Sequence, residues 1–293
     1  MTLTGHAYAL GAGTIINAIA TWKGVAFGID LKTFADVELS KNEKSVCGTI
    51  EGIPDGDTTL MERAVELVLE FFGMELGGTV RTRSDVPLAR GLKSSSAAAN
   101  AAVLATLDAI GETMEPLEAV RLGVQAAKDA GVTITGAFDD ACASFFGGIV
   151  VTDNREMHLV KRVEREMDVL IFAPEKKAFS SETDVSRSRL INPWVEIAYN
   201  LALNGEYERA MTLNGFLYCG ALGFDTGILM SALQIGVKGV SLSGTGPAYA
   251  ALVEKEKVDD LKIAWENSGI SGNVIKTKIN NKGAMNLNVG GSR

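Results

Sequence analysis

Val86-Pro-Leu-Ala-Arg-Gly-Leu-Lys-Ser-Ser-Ser-Ala-Ala-Ala-Asn100 is the stretch whose reading decides the fold. A proline and a glycine bracket a basic loop, and three serines open an alanine-rich run that continues to Ile110 and stops at Gly111. The run is predicted to be a helix, because alanine is the strongest helix former and a glycine just past the end is a common stop. A helix start presents unpaired N–H groups and partial positive charge, which suits a phosphate. Gly91 lets the backbone approach a ligand, Ser94, Ser95 and Ser96 offer hydroxyls to phosphate or Mg²⁺, and Arg81, Arg83, Arg90 and Lys93 add positive charge. The competing reading is an ordinary serine N-cap behind a flexible loop.

Outward from this stretch, strand and helix patterns mix along the chain, so the class is α+β. Strands are predicted over 3–10, 14–20, 24–39, 45–50 and 78–83, with Gly11-Ala12-Gly13 ending the first. A helix over 58–72 carries Leu60, Ala64, Leu67, Val68 and Phe71 on one face. A second helix over 116–130 starts at a proline, and 136–146 reads as a loop and a short helix. Strands follow over 147–152, 158–163 and 169–172, then a polar surface loop over 180–189 and helices over 193–203, 207–219 and 226–237. A strand, a glycine loop and a strand cover 240–253, followed by a helix over 258–266 and a strand over 273–279. The charged stretch 161–166 marks a soft boundary, giving expected domains over 1–160 and 161–293.

Composition removes several classes. The 293 residues carry a net charge of −8, against the basic face of a nucleic-acid or membrane-surface binder. No apolar run reaches the roughly 18 residues of a membrane span, and residues 1–13 lack a basic signal region. The three cysteines, Cys47, Cys142 and Cys219, lie far apart and read as reduced thiols of a cytoplasmic protein. With only His6 and His158, a His-rich zinc site or a Ser-His-Asp hydrolase is unsupported. No G-x-x-x-x-G-K-[ST] occurs, and Gly11-Ala-Gly13 and Gly244-Thr-Gly246 both lack the third glycine of a dinucleotide fingerprint.

Two more segments can carry chemistry. Ser241-Leu-Ser-Gly-Thr-Gly-Pro-Ala248 is either a glycine hairpin turn or, through its backbone N–H groups, the far wall of a phosphate pocket. Gly136-Ala-Phe-Asp-Asp-Ala-Cys-Ala-Ser-Phe-Phe-Gly-Gly148 places Asp139 and Asp140 at a helix start, as caps or as a base and Mg²⁺ ligand. Phosphoryl transfer needs positioning, charge neutralisation and a carboxylate for the hydroxyl proton, and it needs no histidine.

In this order, Pro87-x-x-x-Gly91-Leu-x-Ser94-Ser95-x-Ala97, Asp139-Asp-Ala-x-Ala-x-x-x-Gly-Gly148 and Leu242-Ser-Gly-Thr-Gly-Pro247 resemble the three motifs of the GHMP kinase superfamily. The chain is most similar to the archaeal-type shikimate kinase family. Thr14-Ile-Ile-Asn-Ala-Ile-Ala-Thr21, Lys23-Gly24, Ala26-Phe-Gly-Ile-Asp30, Thr133-Ile-Thr-Gly-Ala-Phe-Asp-Asp140, Asp184-Val-Ser-Arg187, Asn214-Gly215 and Tyr218 carry that likeness. The resemblance implies a two-domain GHMP kinase fold, with an N-terminal half like a ribosomal-protein domain and a ferredoxin-like C-terminal half. It implies ATP-dependent phosphorylation of the shikimate 3-hydroxyl; the charge and the lack of a long apolar run add the expectation of no nucleic-acid or membrane partner, and the oligomeric state stays open.

Carried over, the resemblance puts ATP on Pro87, Arg90, Gly91, Leu92, Lys93, Ser94, Ser95, Ser96 and Ala97, and on Gly244, Thr245 and Gly246. Ser95 matches a Mg²⁺-ligating serine, and Asp139 matches the catalytic aspartate and a second metal ligand; an alternative family spacing selects Asp140. Lys128 stands where many relatives carry a Mg²⁺-binding Glu, leaving Asp129 or Asp140 as substitutes. The P-G-K and G-E-H residues of mevalonate and sugar kinases are missing. Expected substrate contacts are Asn17, Lys23, Asp30, Arg187 and Arg189, an arginine being the natural partner of a carboxylate. The rival readings are another kinase of this superfamily, such as a homoserine or mevalonate kinase, and a non-catalytic nucleotide sensor.

Overall fold

The computed structural model describes residues 2–87, 91–133, 136–175 and 184–287. Its first sheet is built on two long strands, β1 (Leu3–Ile16) and β2 (Lys23–Ser40). β1 is continuous, so Gly11-Ala12-Gly13 does not end it. These glycines serve packing: a Cβ at Gly13 would lie 2.3 Å from the Phe27 ring, and one at Gly11 would lie 2.9 Å from Val86. A register shift between Leu10 and Gly11 absorbs the irregularity as a bulge.

The chain continues through β3 (Val46–Ile50), α1 (Thr59–Phe71), β4 (Gly77–Ser84), α2 (Ser94–Ile110), α3 (Pro116–Asp129), α4 (Phe138–Phe146), β5 (Ile149–Asp153) and β6 (His158–Val163). β2 divides its length between two partners: residues 33–40 pair with β4, and residues 23–27 pair with β5. Helices α1, α2 and α3 cover one face. The contact is made of small residues, Ala7 and Ala9 on β1 against Ala101, Ala102 and Ala105 on α2, so α2 lies unusually close to the sheet. A Cβ at Gly5 would sit 2.1 Å from the Ala105 carbonyl oxygen.

The second sheet starts with β7 (Asp168–Pro174). A 3₁₀ turn (Ser186–Ile191) and helices α5 (Asn192–Leu203), α6 (Tyr207–Leu222) and α7 (Gly227–Gln234) lead to β8 (Gly239–Leu242) and β9 (Tyr249–Val253), then α8 (Val258–Glu266) and β10 (Gly272–Lys278). The strand order is β10-β7-β9-β8, all antiparallel. That succession of strand, helices, strand, strand, helix, strand is the ferredoxin-like arrangement expected of this half. The stretch read as a surface loop is irregular at 184–185 and then forms the 3₁₀ turn over 186–191, and 176–183 lie outside the described residues.

The chain then returns. Asn280 accepts from the Gly148 N–H at 2.8 Å and donates its own to Gly28 at 3.0 Å, and β11 (Met285–Asn286) pairs with β1. One apolar cluster runs from Val25, Phe27 and Ile29 on β2 to Val169–Phe172 on β7 and Tyr218 on α6. The two sheets therefore share a core across the place where β1 ends and β2 begins.

Gly5→Ala should force α2 off β1 and cost about 1–3 kcal/mol, the usual range for overpacking. Gly220→Ala, on α6 with nothing within 4 Å of the added methyl, should instead gain about 0.5–1 kcal/mol. Urea unfolding of both variants checks the pair; a stable Gly5→Ala protein would contradict the close approach.

Candidate active site

Helix α2 starts from Lys93, whose backbone is left-handed at φ 64, and no side chain caps it. The reading of a serine N-cap is therefore corrected: Ser94, Ser95 and Ser96 lie inside the first turn. The first helical bond runs from the Ala97 N–H to the Lys93 carbonyl, so the serine amides are not used within the helix. Leu92 is buried, and its carbonyl accepts from the Ala12 N–H. Arg90 lies outside the described residues, and Pro87 precedes that gap.

Gly91, at φ 77, touches the glycine loop between β8 and β9. A Cβ there would stand 2.2 Å from the Ser243 carbonyl oxygen, and the Ser243 hydroxyl donates to the Gly91 carbonyl at 2.7 Å. The two motifs thus meet in space. The loop does not present free amides, however. The Gly244 N–H donates to Thr14 Oγ1 at 3.0 Å and the Gly246 N–H to the Ser243 carbonyl at 3.0 Å. Thr245 is buried with them. The loop acts as a buttress behind Gly91, and the expectation of phosphate-binding amides at Gly244 and Gly246 is not met.

Asn17 explains the buttress. Its side-chain amide donates to the Gly244 carbonyl at 2.8 Å, and its own N–H donates to Asn214 Oδ1 at 3.0 Å. The Tyr218 hydroxyl donates to the Asn17 carbonyl at 3.0 Å and accepts from the Ala20 N–H at 3.1 Å. Burial holds that phenol well above its usual range, so it stays neutral. Asn17 is 5% exposed and spends its polar groups on the protein, although the sequence suggested a substrate contact.

Asp139 and Asp140 sit in the first turn of α4, and neither caps it; the N-cap is Ala137, left-handed at φ 48. Asp140 Oδ2 pairs with Lys93 Nζ at 2.9 Å, and Asp140 Oδ1 is buried without a hydrogen bond. Burial, then the charge of Asp139, pushes Asp140 up to about 7, against the pull of Lys93. Asp139 Oδ1 accepts from Asn154 Nδ2 at 2.7 Å, and the Asp139 N–H donates to Asn154 Oδ1. Thr152 donates to that same amide oxygen at 2.7 Å. Across the ladder, Gly24 pairs with Thr152, and a Cβ at Gly24 would lie 2.5 Å from Asp139 Oδ2. Sequence reasoning missed Asn154 and Thr152: they end an apolar strand, and no local pattern distinguishes them.

The remaining predicted contacts divide. Lys23, at the start of β2 beside Gly24, pairs with Glu196 of α5 at 3.0 Å and lies over the Tyr199 ring. Asp30 lies six residues from Gly24, about 20 Å along the strand, and binds Asn280 at 2.9 Å. It is not brought to the cluster. Arg187 and Arg189 are exposed on the 3₁₀ turn leading into α5. Arg81 is engaged with Glu51, and Arg83 lies over the Phe34 ring. Asp129 is tied to Arg63 at 2.8 Å, which removes it as a substitute metal ligand.

Among the described residues no group of three His, Cys, Asp or Glu forms a metal cage, and no helix is long and apolar enough to cross a membrane. The hydroxyl and carboxylate oxygens near Lys93 are hard donors that suit Mg²⁺ arriving with a phosphate rather than held alone.

The model of the GHMP kinase N-terminal domain matches residues 59–148. A shikimate kinase of Methanococcoides burtonii is 73% identical, over 98% of this chain and all of the relative. One of Methanosarcina mazei is 70% identical over the full length of both. Among solved structures, a homoserine kinase of Cytophaga hutchinsonii superposes with TM-score 0.73 at 19% identity, covering 97% of each chain. Lactococcus lactis galactokinase superposes with TM-score 0.76 at 17% identity, covering 96% of this chain and 95% of its own.

Asp140 holds its proton more tightly folded than unfolded, where a carboxyl ionises near 4. Its contribution to stability is therefore fully favourable below pH ~4, falls as pH rises to ~7, and is flat above. Asp140→Asn removes that slope. Urea unfolding from pH 4 to 8 should show the variant gaining on the wild type by an amount on the order of a few kcal/mol across this window. A pH-independent difference would mean that Asp140 ionises normally.

Proposed function

We propose a function from one premise: the chain belongs to the GHMP kinases, among their archaeal shikimate kinases. It transfers the γ-phosphoryl group of ATP to the shikimate 3-hydroxyl, releasing ADP and shikimate 3-phosphate. The observation that carries the acceptor is the likeness along the whole chain; the geometry alone supports phosphoryl transfer to an alcohol.

Each residue has work that its position allows. The first turn of α2, Ser94 to Ala97 behind Gly91, receives the phosphates at a helix start. Lys93 offsets charge that develops on the transferred group. Asp139 takes the proton from the acceptor hydroxyl at Oδ2, the oxygen that Asn154 leaves free. As the O–H bond gives way, the acceptor oxygen bonds to the γ-phosphorus. The bond from that phosphorus to the bridging oxygen breaks, and ADP leaves with the electron pair. Ser95 and the unpartnered Asp140 Oδ1, with Asp139 beside them, are the oxygens that would hold Mg²⁺. When bound with ATP, the ion neutralises phosphate charge.

The acceptor pocket is assigned to Lys23, Glu196 and Tyr199, with Arg187 and Arg189 at the approach. A half-buried Lys–Glu pair offers a cation to the shikimate carboxylate and a carboxylate to its hydroxyls. Soluble, cytoplasmic residence fits this reading, since both substrates are water-soluble metabolites.

An ADP-release assay with ATP and Mg²⁺ against shikimate, homoserine, mevalonate and galactose tests the acceptor. Turnover with shikimate alone is expected; turnover with another acceptor would overturn the assignment. Asp139→Asn should fold and lose at least ~10²-fold in kcat, the low end for removal of a general base. If Asp140→Asn is the variant that loses it, the base is the neighbouring residue. Arg187→Ala should raise KM for shikimate severalfold and leave KM for ATP unchanged; an unchanged shikimate KM takes Arg187 out of the site.

A further inference from the structure

Asn154 lies just beyond β5, is 3% exposed, and has its side-chain oxygen and nitrogen and its backbone N–H committed. Its backbone N–H donates to the Trp22 carbonyl at 2.7 Å. Its side-chain oxygen accepts from the Asp139 N–H at 3.2 Å and from the Thr152 hydroxyl at 2.7 Å. The Asp139 N–H can only donate and its carboxylate can only accept, so the amide faces this way: the reverse orientation would set its NH₂ against that N–H and its oxygen against Oδ1. The NH₂ is thereby aimed at Asp139 Oδ1, 2.7 Å away.

We infer that Asn154 is the positioning residue for Asp139, fixing one carboxylate oxygen so that the other is presented to the acceptor hydroxyl. Attachment of α4 to β5 needs only the bond from the Asp139 backbone. The bond to Oδ1 adds something a purely structural tie does not require: it sets the carboxylate torsion. Gly24 completes the arrangement from the far side. It lies opposite Thr152 in the β2–β5 ladder, and only the absence of its Cβ leaves room for Asp139 Oδ2. The Thr152 hydroxyl, also within 3.3 Å of the Gly24 carbonyl, supports Asn154 from the ladder itself. A general base oriented by a third group recurs wherever a carboxylate must meet one proton at one angle.

This inference rests on the reading that Asp139 takes the acceptor's proton, and a double-mutant cycle separates the two. The full chain is compared with Asn154→Ala, Asp139→Asn and the double variant. The readouts are kcat and KM for both substrates, ATP affinity by calorimetry, and the slow ATP hydrolysis that water supports without an acceptor. Asn154→Ala should lower kcat about 10–100-fold, the loss typical of an outer partner, with KM and ATP affinity within about twofold. In the Asp139→Asn background the same substitution should cost nothing further, because groups acting as one unit are not additive. Asn154→Leu, close to asparagine in volume and with no donor for Oδ1, should fold and lose as much as Asn154→Ala.

If Asn154→Ala keeps wild-type kcat, or costs as much with Asp139 already changed, the inference fails while the base reading stands. If Asp139→Asn itself keeps wild-type kcat, the base reading fails and takes the inference with it. If shikimate is not the acceptor, the cycle is read on ATP hydrolysis with the same two outcomes.

Discussion

Lys93 and Asp140, 2.9 Å apart, join the starts of two helices, and the rest of the site is arranged around that contact. Their electrostatics differ in kind. A carboxylate in the first turn of α4 is favoured by its own helix, whereas an ammonium at the N-cap of α2 is opposed by its helix. Lys93 therefore stands where a cation is unwelcome unless negative charge is beside it. Asp140 supplies that charge where it is ionised, above about pH 7, and under the proposed function phosphate oxygens at the first turn of α2 would supply more. Removing Asp140 leaves the nearly buried Lys93 ammonium without its partner, a costlier change than the net value of the pair.

The backbone is bent out of its ordinary range at the same place. Among the described residues, four that are not glycine have φ above zero: Trp22, Lys93, Ala137 and Met157. Three of them border the cluster. Lys93 and Ala137 start the two helices, and the Trp22 carbonyl accepts from the Asn154 N–H. Each such residue costs on the order of 1–2 kcal/mol, and strain of this kind persists only where surrounding contacts over-determine it. Here those contacts are the Lys93–Asp140 pair, the Asn154 bonds and the buttress of the Gly244 loop. The site is thus held by the fold and does not relax locally.

What the sequence could reveal follows the range of the interaction. Helix α8 was readable to the residue, because its apolar spacing is local. The meeting of the Gly91 and Gly244 segments was readable as a possibility, because glycine clusters mark close backbone approach. The glycines in β1 were misread, since the Phe27 ring and the Val86 side chain that need their space come from other parts of the chain. The direction of the Gly244 and Gly246 amides depends on Thr14 and on the loop's own turn, and no motif encodes that. Asn154 was invisible for the same reason: its role exists only because strand register sets Gly24 opposite Thr152. β11 is two residues long, too short for any periodic signal. The acceptor was legible only through resemblance, since a half-buried Lys–Glu pair suits many polyhydroxy acids.

That same register explains how acceptor choice and phosphate chemistry share so small a space. Gly24 pairs with Thr152 and Lys23 with Asp153, so consecutive rungs of one ladder carry the wall of the proposed acceptor pocket and the support of Asp139. The proposed phosphate-handling groups come from α2 and α4 of the first sheet's layer. Glu196 and Tyr199 come from α5, across the shared core. Asp139 and Asn154 are thus buried and bonded to each other, and Lys93, nearly buried, is held by Asp140. The groups assigned to the acceptor are spread over two elements, with Lys23 and Glu196 half-exposed on β2 and α5 and Tyr199 buried on α5. Under the proposed function, substitutions on α5 would alter which hydroxyl arrives without disturbing the carboxylate proposed to receive its proton, which is how one scaffold can serve different alcohols.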